Sequence, residues 1–345
     1  MIRIHDETPQ AGGLDEVDLD LVAALQFAPR AGLRLLARAL EVSVGTVSRR
    51  FARLRDSGRL RVVGQITWSA LSDTHPQHIW ITTDPGAADH VANEVAELAE
   101  ARFVAVTTGE TDVFCILHAE RRADMSELLR TRLPAIAGVS RTRTELGLQR
   151  YAAGTDWRLG RLSIEQVELL RTEAIETVEA PEAPRFGTDE LAAVRLLEGD
   201  GRATAADVAR ETGVSASTAY RVTQSLLRSG VVVPRVDIEP ALLGYPLEVV
   251  VSLVADPGTM EQLAETLARQ SSARYVTTVA GRSSVIYHGL FRHEIDLARF
   301  LGRDIAALPG VSAFDLSVVL QVVKRYWKRR DLTPHAPPDG GSAAE

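Results

Sequence analysis

One cysteine, Cys115, in 345 residues leaves no intramolecular disulfide framework and no cysteine-rich zinc site, and it fits a reducing cytoplasm. Lysine is almost as scarce: only Lys324 and Lys328 occur, so the basic residues are arginines. No apolar run reaches the ~18 residues of a transmembrane helix, and Met1-Ile-Arg-Ile-His-Asp6 lacks the apolar centre of a signal peptide. There is no glycine-rich phosphate loop and no nucleophile motif. His75 and His78 flank Pro76 without metal-ligand spacing, and His118 and His288 fall at the ends of corresponding strands, as core or edge histidines do. No catalytic residue, metal site or cofactor is therefore expected. Positive charge in bulk is also lacking. The net charge is −7, so nucleic-acid binding would have to come from a local patch. What is present is the composition of a globular protein, 45% hydrophobic and 25% charged, long enough for two or more domains.

The chain is a tandem duplication. Shifted by 172 positions it aligns with itself: Asp84-Pro-Gly86 falls on Asp256-Pro-Gly258, and Ala101-Arg-Phe-Val104 on Ala273-Arg-Tyr-Val276. Between Leu19 and Gly58, 14 of 40 positions are identical. Each copy is a helical part followed by a mixed part. The expected domains are 14–63 (helical), 64–151 (mixed), 152–186 (a helix and linker), 187–235 (helical), 236–330 (mixed) and a disordered tail, 331–345. The connecting helix is expected over Ser163–Val178 with Ser163 as N-cap, followed by a stiff acidic linker, Glu179-Ala-Pro-Glu-Ala-Pro184.

In the first helical part, Leu14, Val17, Leu21 and Leu25 predict a helix over Asp15–Gln26. A short second helix covers Leu33–Leu40. Ser43 caps a third that runs to Ser57, with Gly58 as its stop. Three helices with a tight turn before the last form a helix-turn-helix. On the third helix, Val47, Phe51 and Leu54 share the buried face. From Leu19 to Val63 nine arginines oppose three acids, a local +6. Gly45, Thr46 and Ser48 allow close backbone approach, and Arg49, Arg50 and Arg53 can reach phosphates or guanine in double-stranded DNA. The alternative is a solvated basic face. The second copy is weaker, with a local +2 over Leu191–Arg235. Arg221 keeps the place of Arg49, but Val222 and Ser225 replace Arg50 and Arg53. In the turn, Glu41 stands where the second copy has Gly213. A positive φ there would cost glutamate roughly 1 kcal/mol.

Each mixed part reads β-α-β-β-α-β, over His78–Leu148 and Leu247–Val322, which predicts an α+β, ferredoxin-like unit with both helices on one face of an antiparallel sheet. In Val113-Phe-Cys-Ile-Leu117 both faces are apolar, so the second face must also be covered, by the sheet of the other copy or of a second chain. Cys115 is then packing, not a reactive thiol. The mixed parts are expected to form a core that holds the helical parts apart.

This order of modules resembles the Lrp/AsnC (feast/famine) transcription regulators, twice over, in a double-length form. The resemblance is carried by Leu14-Asp-Glu-Val-Asp18, by Val42-Ser-Val-Gly-Thr-Val-Ser-Arg-Arg50, by Leu54–Gly58 and by Thr108-Gly-Glu-Thr-Asp112, similar to the family's Gly-x-x-Asp hairpin. It implies a cytoplasmic, sequence-specific DNA-binding regulator, without enzymatic activity, that self-associates as a homodimer or larger and binds a small effector such as an amino acid. It further implies that Gly109 and Asp112 contact that effector. The second copy keeps the glycine, Gly281, but has Ser284 in place of the aspartate. Relatives of the same architecture include sirohaem decarboxylases, marked by histidine and asparagine around the second strand of the mixed part. Arg102–Gly109 and Arg274–Gly281 contain neither, which argues against that enzyme. A non-catalytic scaffold is the other alternative. Basic, aromatic Lys324–Arg330 is read as a solvated strand end.

Overall fold

A computed structural model of the chain describes residues 13–67, 72, 74–154, 156–172, 186–325 and 328–329. The acidic linker and the C-terminal tail lie outside the described residues. Among the described residues no helix is long and apolar enough to cross a membrane.

The first helical module holds α1 (Glu16–Phe27), α2 (Leu33–Ala39) and α3 (Val44–Asp56). The ends follow from local chemistry. Asp15 and Asp18 form a capping box on α1, and Ser43 Oγ accepts from Thr46 N at 3.0 Å to start α3. Glu41 adopts φ +54° and Gly213 φ +75°, so the tight turn does require the left-handed region in both copies. After α3 the chain forms β1 (Leu60–Ile66). In the second copy α7 (Thr188–Gly199), α8 (Ala205–Thr212), α9 (Ala216–Arg228) and β6 (Val232–Ile238) repeat this arrangement. Between the copies, α6 (Ile164–Arg171) starts at Ser163 as expected. It packs on the first helical module: Leu170 is buried there, and Gln166 Nε2 donates to Ala39 O at 2.8 Å. The segment from 173 to 178, expected to continue it, is outside the described residues.

The expectation that the mixed parts hold the helical parts apart is not met. β1 and β6 pair antiparallel with each other, from Leu60 against Ile238 to Ile66 against Val232, and make one two-stranded sheet shared by both helical modules. Sequence reading missed this because each strand's partner lies more than 160 residues away, where no local period records it.

The mixed parts are ferredoxin-like units. The first contains β2 (Gln77–Thr83), α4 (Ala88–Glu97), β3 (Ala101–Thr107), β4 (Val113–Leu117), α5 (Arg122–Glu127) and β5 (Val139–Ala152). The second contains β7 (Leu247–Ala255), α10 (Met260–Ala268), β8 (Ala273–Ala280), β9 (Val285–Phe291), α11 (Glu294–Arg299) and β10 (Val311–Arg325). Strand order is β3-β4-β2-β5 in one sheet and β8-β9-β7-β10 in the other. The last strand of each pairs with the other copy, β5 with β8 and β10 with β3, so eight strands close into a ring. This is why β5 and β10 run on beyond their expected ends at Leu148 and Val322. The second apolar face is therefore covered within one chain.

Alternation along β4 makes the two cores. Val113, Cys115 and Leu117 point to α4 and α5 with Ile79, Ile81, Val91 and Val104. Phe114 points inward and meets Trp80, Phe103, Val250 and Ile286 between the sheets. The Trp80 and Phe114 ring centroids are 5.0 Å apart. Cys115 is fully buried, and burial pushes its thiol pKa up, as packing and not reactivity requires.

Candidate functional site

Helix α3 carries the basic face. Val47 and Leu54 are buried beneath it, and Phe51 is half-buried against the same core. Gly45, Ser48, Arg49 and Arg53 lie exposed on the outer side. Thr46 is half-buried, its Oγ1 2.8 Å from Ser43 Oγ, so it serves the cap. Arg50 is placed differently from its neighbours. Its guanidinium lies 2.6 Å from Asp15 and 2.8 Å from the buried carboxylate of Asp18. Arg53 also pairs with Asp18, while its side chain remains 55% exposed. Hydrogen bonding to Arg50 holds the Asp15 carboxyl below its ordinary range. Two of the three arginines thus tie α3 to α1, and Arg49 is the member of the trio with no ion pair to α1. Arg61, counted with the basic run, sits on β1, 3.5 Å from Asp237 of β6. On α9, Tyr220 and Arg221 are exposed at the places of Ser48 and Arg49.

The hairpin between β3 and β4 carries Gly109 at φ +108°, a conformation in which a side chain would be strained. A Cβ there would also lie 3.3 Å from Leu316 O of β10. Asp112 Oδ2 accepts from Thr83 N at 2.7 Å and from Thr83 Oγ1 at 3.2 Å, which clips the end of β2. In the second copy Ser284 Oγ accepts from Ala255 N at 3.0 Å, the same clip with a different side chain. Asp112 and Ser284 therefore share an anchoring role. Beside the first hairpin lies a cavity of about 190 Å³ lined by Trp80, Glu110, Thr111, Arg141, Arg143 and Arg282. Trp80 Nε1 and Thr111 Oγ1 are buried without a hydrogen-bond partner among the described residues. Arg143 stacks over the Trp80 ring at 4.4 Å.

A second, larger cavity of about 480 Å³ lies where β1, β6 and α7 meet the strands of the ring. Six arginines line it: Arg102, Arg150, Arg195, Arg235, Arg274 and Arg325. Arg325 Nη2 lies 2.8 Å from both oxygens of Glu248, and His288 Nε2 lies 2.6 Å from Glu248 Oε1. Burial opposes ionisation of Glu248, but Arg325, His288 and Arg274 outweigh it and hold the carboxyl below its ordinary range. Burial pushes the His118 pKa down to about 4, and that of His78, whose Nε2 meets Tyr275 OH at 3.0 Å, to about 3. Sequence reading missed this cavity. The available signal was the retention of Arg102 as Arg274 on the two strands next to the hairpins.

No group of three or more His, Cys, Asp or Glu among the described residues could hold a metal ion.

The pattern of the Lrp/AsnC ligand binding domain matches residues 78–157 and again 248–327. The AsnC-type helix-turn-helix domain matches 14–55, while 191–235 match the IclR helix-turn-helix domain. An HTH-type transcriptional regulator of Pyrococcus abyssi is 27% identical over 139 residues, covering 39% of this chain and 88% of the relative. The HTH-type transcriptional regulator FL11 of Pyrococcus horikoshii is 25% identical over 132 residues, 38% of this chain and 87% of the relative. Among solved structures, the siroheme decarboxylase NirDL superposes with a TM-score of 0.59 at 14% identity, over 90% of this chain and 92% of that one. At that identity the likeness is one of fold.

Proposed function

The chain belongs to the Lrp/AsnC family, and on that premise we propose that it is a cytoplasmic, DNA-binding transcriptional regulator in which α3 reads the major groove. The observation that carries the reading is the exposed row Gly45, Ser48 and Arg49 on a helix of net positive charge held by a capped turn. Small residues let the backbone approach base edges, and Arg49 and Arg53 supply charge to phosphates or guanine. Arg50 and Arg53 also fix the angle of α3 against α1 through Asp18. With Arg221 alone of the trio retained on α9, the second module reads DNA less strongly. Two chains then associate so that two copies of α3 meet two half-sites.

The effector is an amino acid or a metabolite of that size, bound in the cavity beside Gly109 and Asp112. Glu110 offers an acceptor for an ammonium group, while Arg141, Arg143 and Arg282 match a carboxylate. Gly109 and Asp112 do not line this cavity; Asp112 Oδ2 clips Thr83, and the two residues shape the hairpin that presents Glu110 and Thr111 to it. Binding there changes assembly or module spacing, and with it DNA affinity.

The test is fluorescence anisotropy of the full chain on its own upstream duplex and on an unrelated duplex over a salt series. The reading expects preference for the upstream duplex, a steep loss of affinity with salt and a change on adding amino acids. Equal, salt-insensitive binding to both would overturn it. The fold shared with NirDL supports a second reading, a sirohaem-decarboxylase-like enzyme. It is tested by mass spectrometry of sirohaem incubated with the protein, where unchanged carboxyl content removes it.

A further inference from the structure

The larger cavity differs from the hairpin cavity in position and in charge. It straddles the internal pseudo-twofold axis: Arg102 and Arg274, Phe103 and Tyr275, and Ile116 and His288 all face it, and the members of each pair are 172 residues apart. One wall comes from the helical modules, with Gln65 of β1, Arg195 of α7 and Arg235 of β6. The other comes from the strand ring.

Its charge is not a requirement of the fold. Arg325, His288 and Arg235 hold positions where the first copy has Ala153, Ile116 and Val63. The same backbone is therefore built with apolar residues on the other side of the axis. Burying guanidinium groups is costly, and an apolar wall would pack at lower cost. Yet Arg235, Arg274 and Arg325 are only 4%, 5% and 1% exposed. Among the described residues, the carboxylates near these six arginines are Glu120 and Glu198 on the wall, Glu100 beside Arg102 and Glu248 behind Arg325. A guanidinium fork matches a carboxylate or phosphate in bidentate fashion. A zwitterion would add an ammonium group to this positive field, and a single carboxylate would engage only part of it. The volume suits a small molecule.

We propose that this cavity binds a compact metabolite carrying two or more carboxylate or phosphate groups, and that the bound anion ties the helical modules to the strand ring. The site is separate from the amino-acid site proposed at the hairpin and does not depend on it.

The experiment is isothermal titration calorimetry on the full chain without DNA, at fixed ionic strength. The probes are citrate, fructose 1,6-bisphosphate and inorganic pyrophosphate, with acetate and leucine as controls. At least one polyanion is expected to bind one per chain, with citrate against the two phosphate compounds separating the anion types. An Arg150→Gln/Arg195→Gln variant should bind it at least tenfold more weakly, and Arg141→Gln at the hairpin should not change it. Hydrogen exchange with the bound probe should slow amides of β1 and β8 together. No heat with any of the three polyanions, affinity unchanged in the double variant, or protection that omits both strands would overturn the proposal. Because no DNA is present, that failure is distinct from a failure of the regulator reading.

Discussion

Arg30 and Arg202 hold each other's backbone. Arg30 donates to the carbonyls of Gly201 and Ala203, and Arg202 donates to those of Pro29 at 2.6 Å and Ala31 at 2.8 Å. The two arginines are 172 residues apart, as are the carbonyls they meet, so the exchange is the internal pseudo-twofold written in four hydrogen bonds. Together with the β1–β6 pairing it fixes the helical modules against one another. The spacing of α3 and α9 is thus set by direct contact, with the strand ring beneath.

Arg202→Ala should therefore do more than remove a surface charge. It leaves two carbonyls in the inter-module seam without their donors, at a cost of about 2–3 kcal/mol. Chemical denaturation should show the lowered midpoint. The same variant should bind the upstream duplex less tightly although it touches no DNA, because the seam that orients α3 is loosened.

Glu41 is the one non-glycine residue among the described residues with positive φ. Replacing it with glycine relieves about 1–2 kcal/mol of left-handed strain against about 0.5–1 kcal/mol of added chain entropy. Glu41→Gly should raise the melting temperature slightly and leave DNA affinity unchanged, while Gly213→Ala should lower it.

Arg50 should behave as a structural residue. Its removal leaves Asp18, 1% exposed, with a weaker set of partners, and Arg50→Ala should cost about 1–2 kcal/mol of stability. Arg49→Ala should be neutral in the same unfolding assay. Equal destabilisation by both would contradict the division of roles on α3.

His118 and His78 make the protein sensitive to acid. Both are held neutral by burial, with pKa values of about 4 and about 3 against an ordinary 6.5. A depressed histidine pKa means that the unfolded chain takes up protons first. Stability is then full above about pH 6.5 and falls as pH drops toward 4, by up to about 3 kcal/mol for His118 alone. Urea unfolding across pH 7 to 4 measures this slope, and His118→Gln should flatten it.

Much of this was legible in the sequence, and the boundary has a physical cause. Ser43, Gly58, Val47 and Leu54 mark α3 because caps and the 3.6-residue period are local. The apolar run Val113–Leu117 announced a sheet covered on both faces for the same reason. The 172-residue repeat gave the pairing of like units. The seam, the ring closure and the arginine cavity were not legible, because their partners are joined only by folding. Arg235 entered the sequence reading only through the +2 balance of Leu191–Arg235, and it is buried against Gln65 of β1, with Nη1 2.8 Å from its Oε1. Arg50 counted as a DNA contact, although Asp15 and Asp18 stood 32 to 35 residues upstream to receive it. Retention of Arg30 as Arg202, in a repeat where most positions differ, was the one visible trace of the seam.

The most direct test of the regulator reading compares Arg49→Ala and Arg221→Ala by anisotropy on the upstream duplex, with the salt dependence of each. Arg49→Ala should weaken binding at least tenfold, about 1.4 kcal/mol, and flatten the salt slope by about one. Arg221→Ala should change affinity less than threefold. Equal losses from the two variants, or none from either, would contradict the assignment of α3 as the principal reading helix.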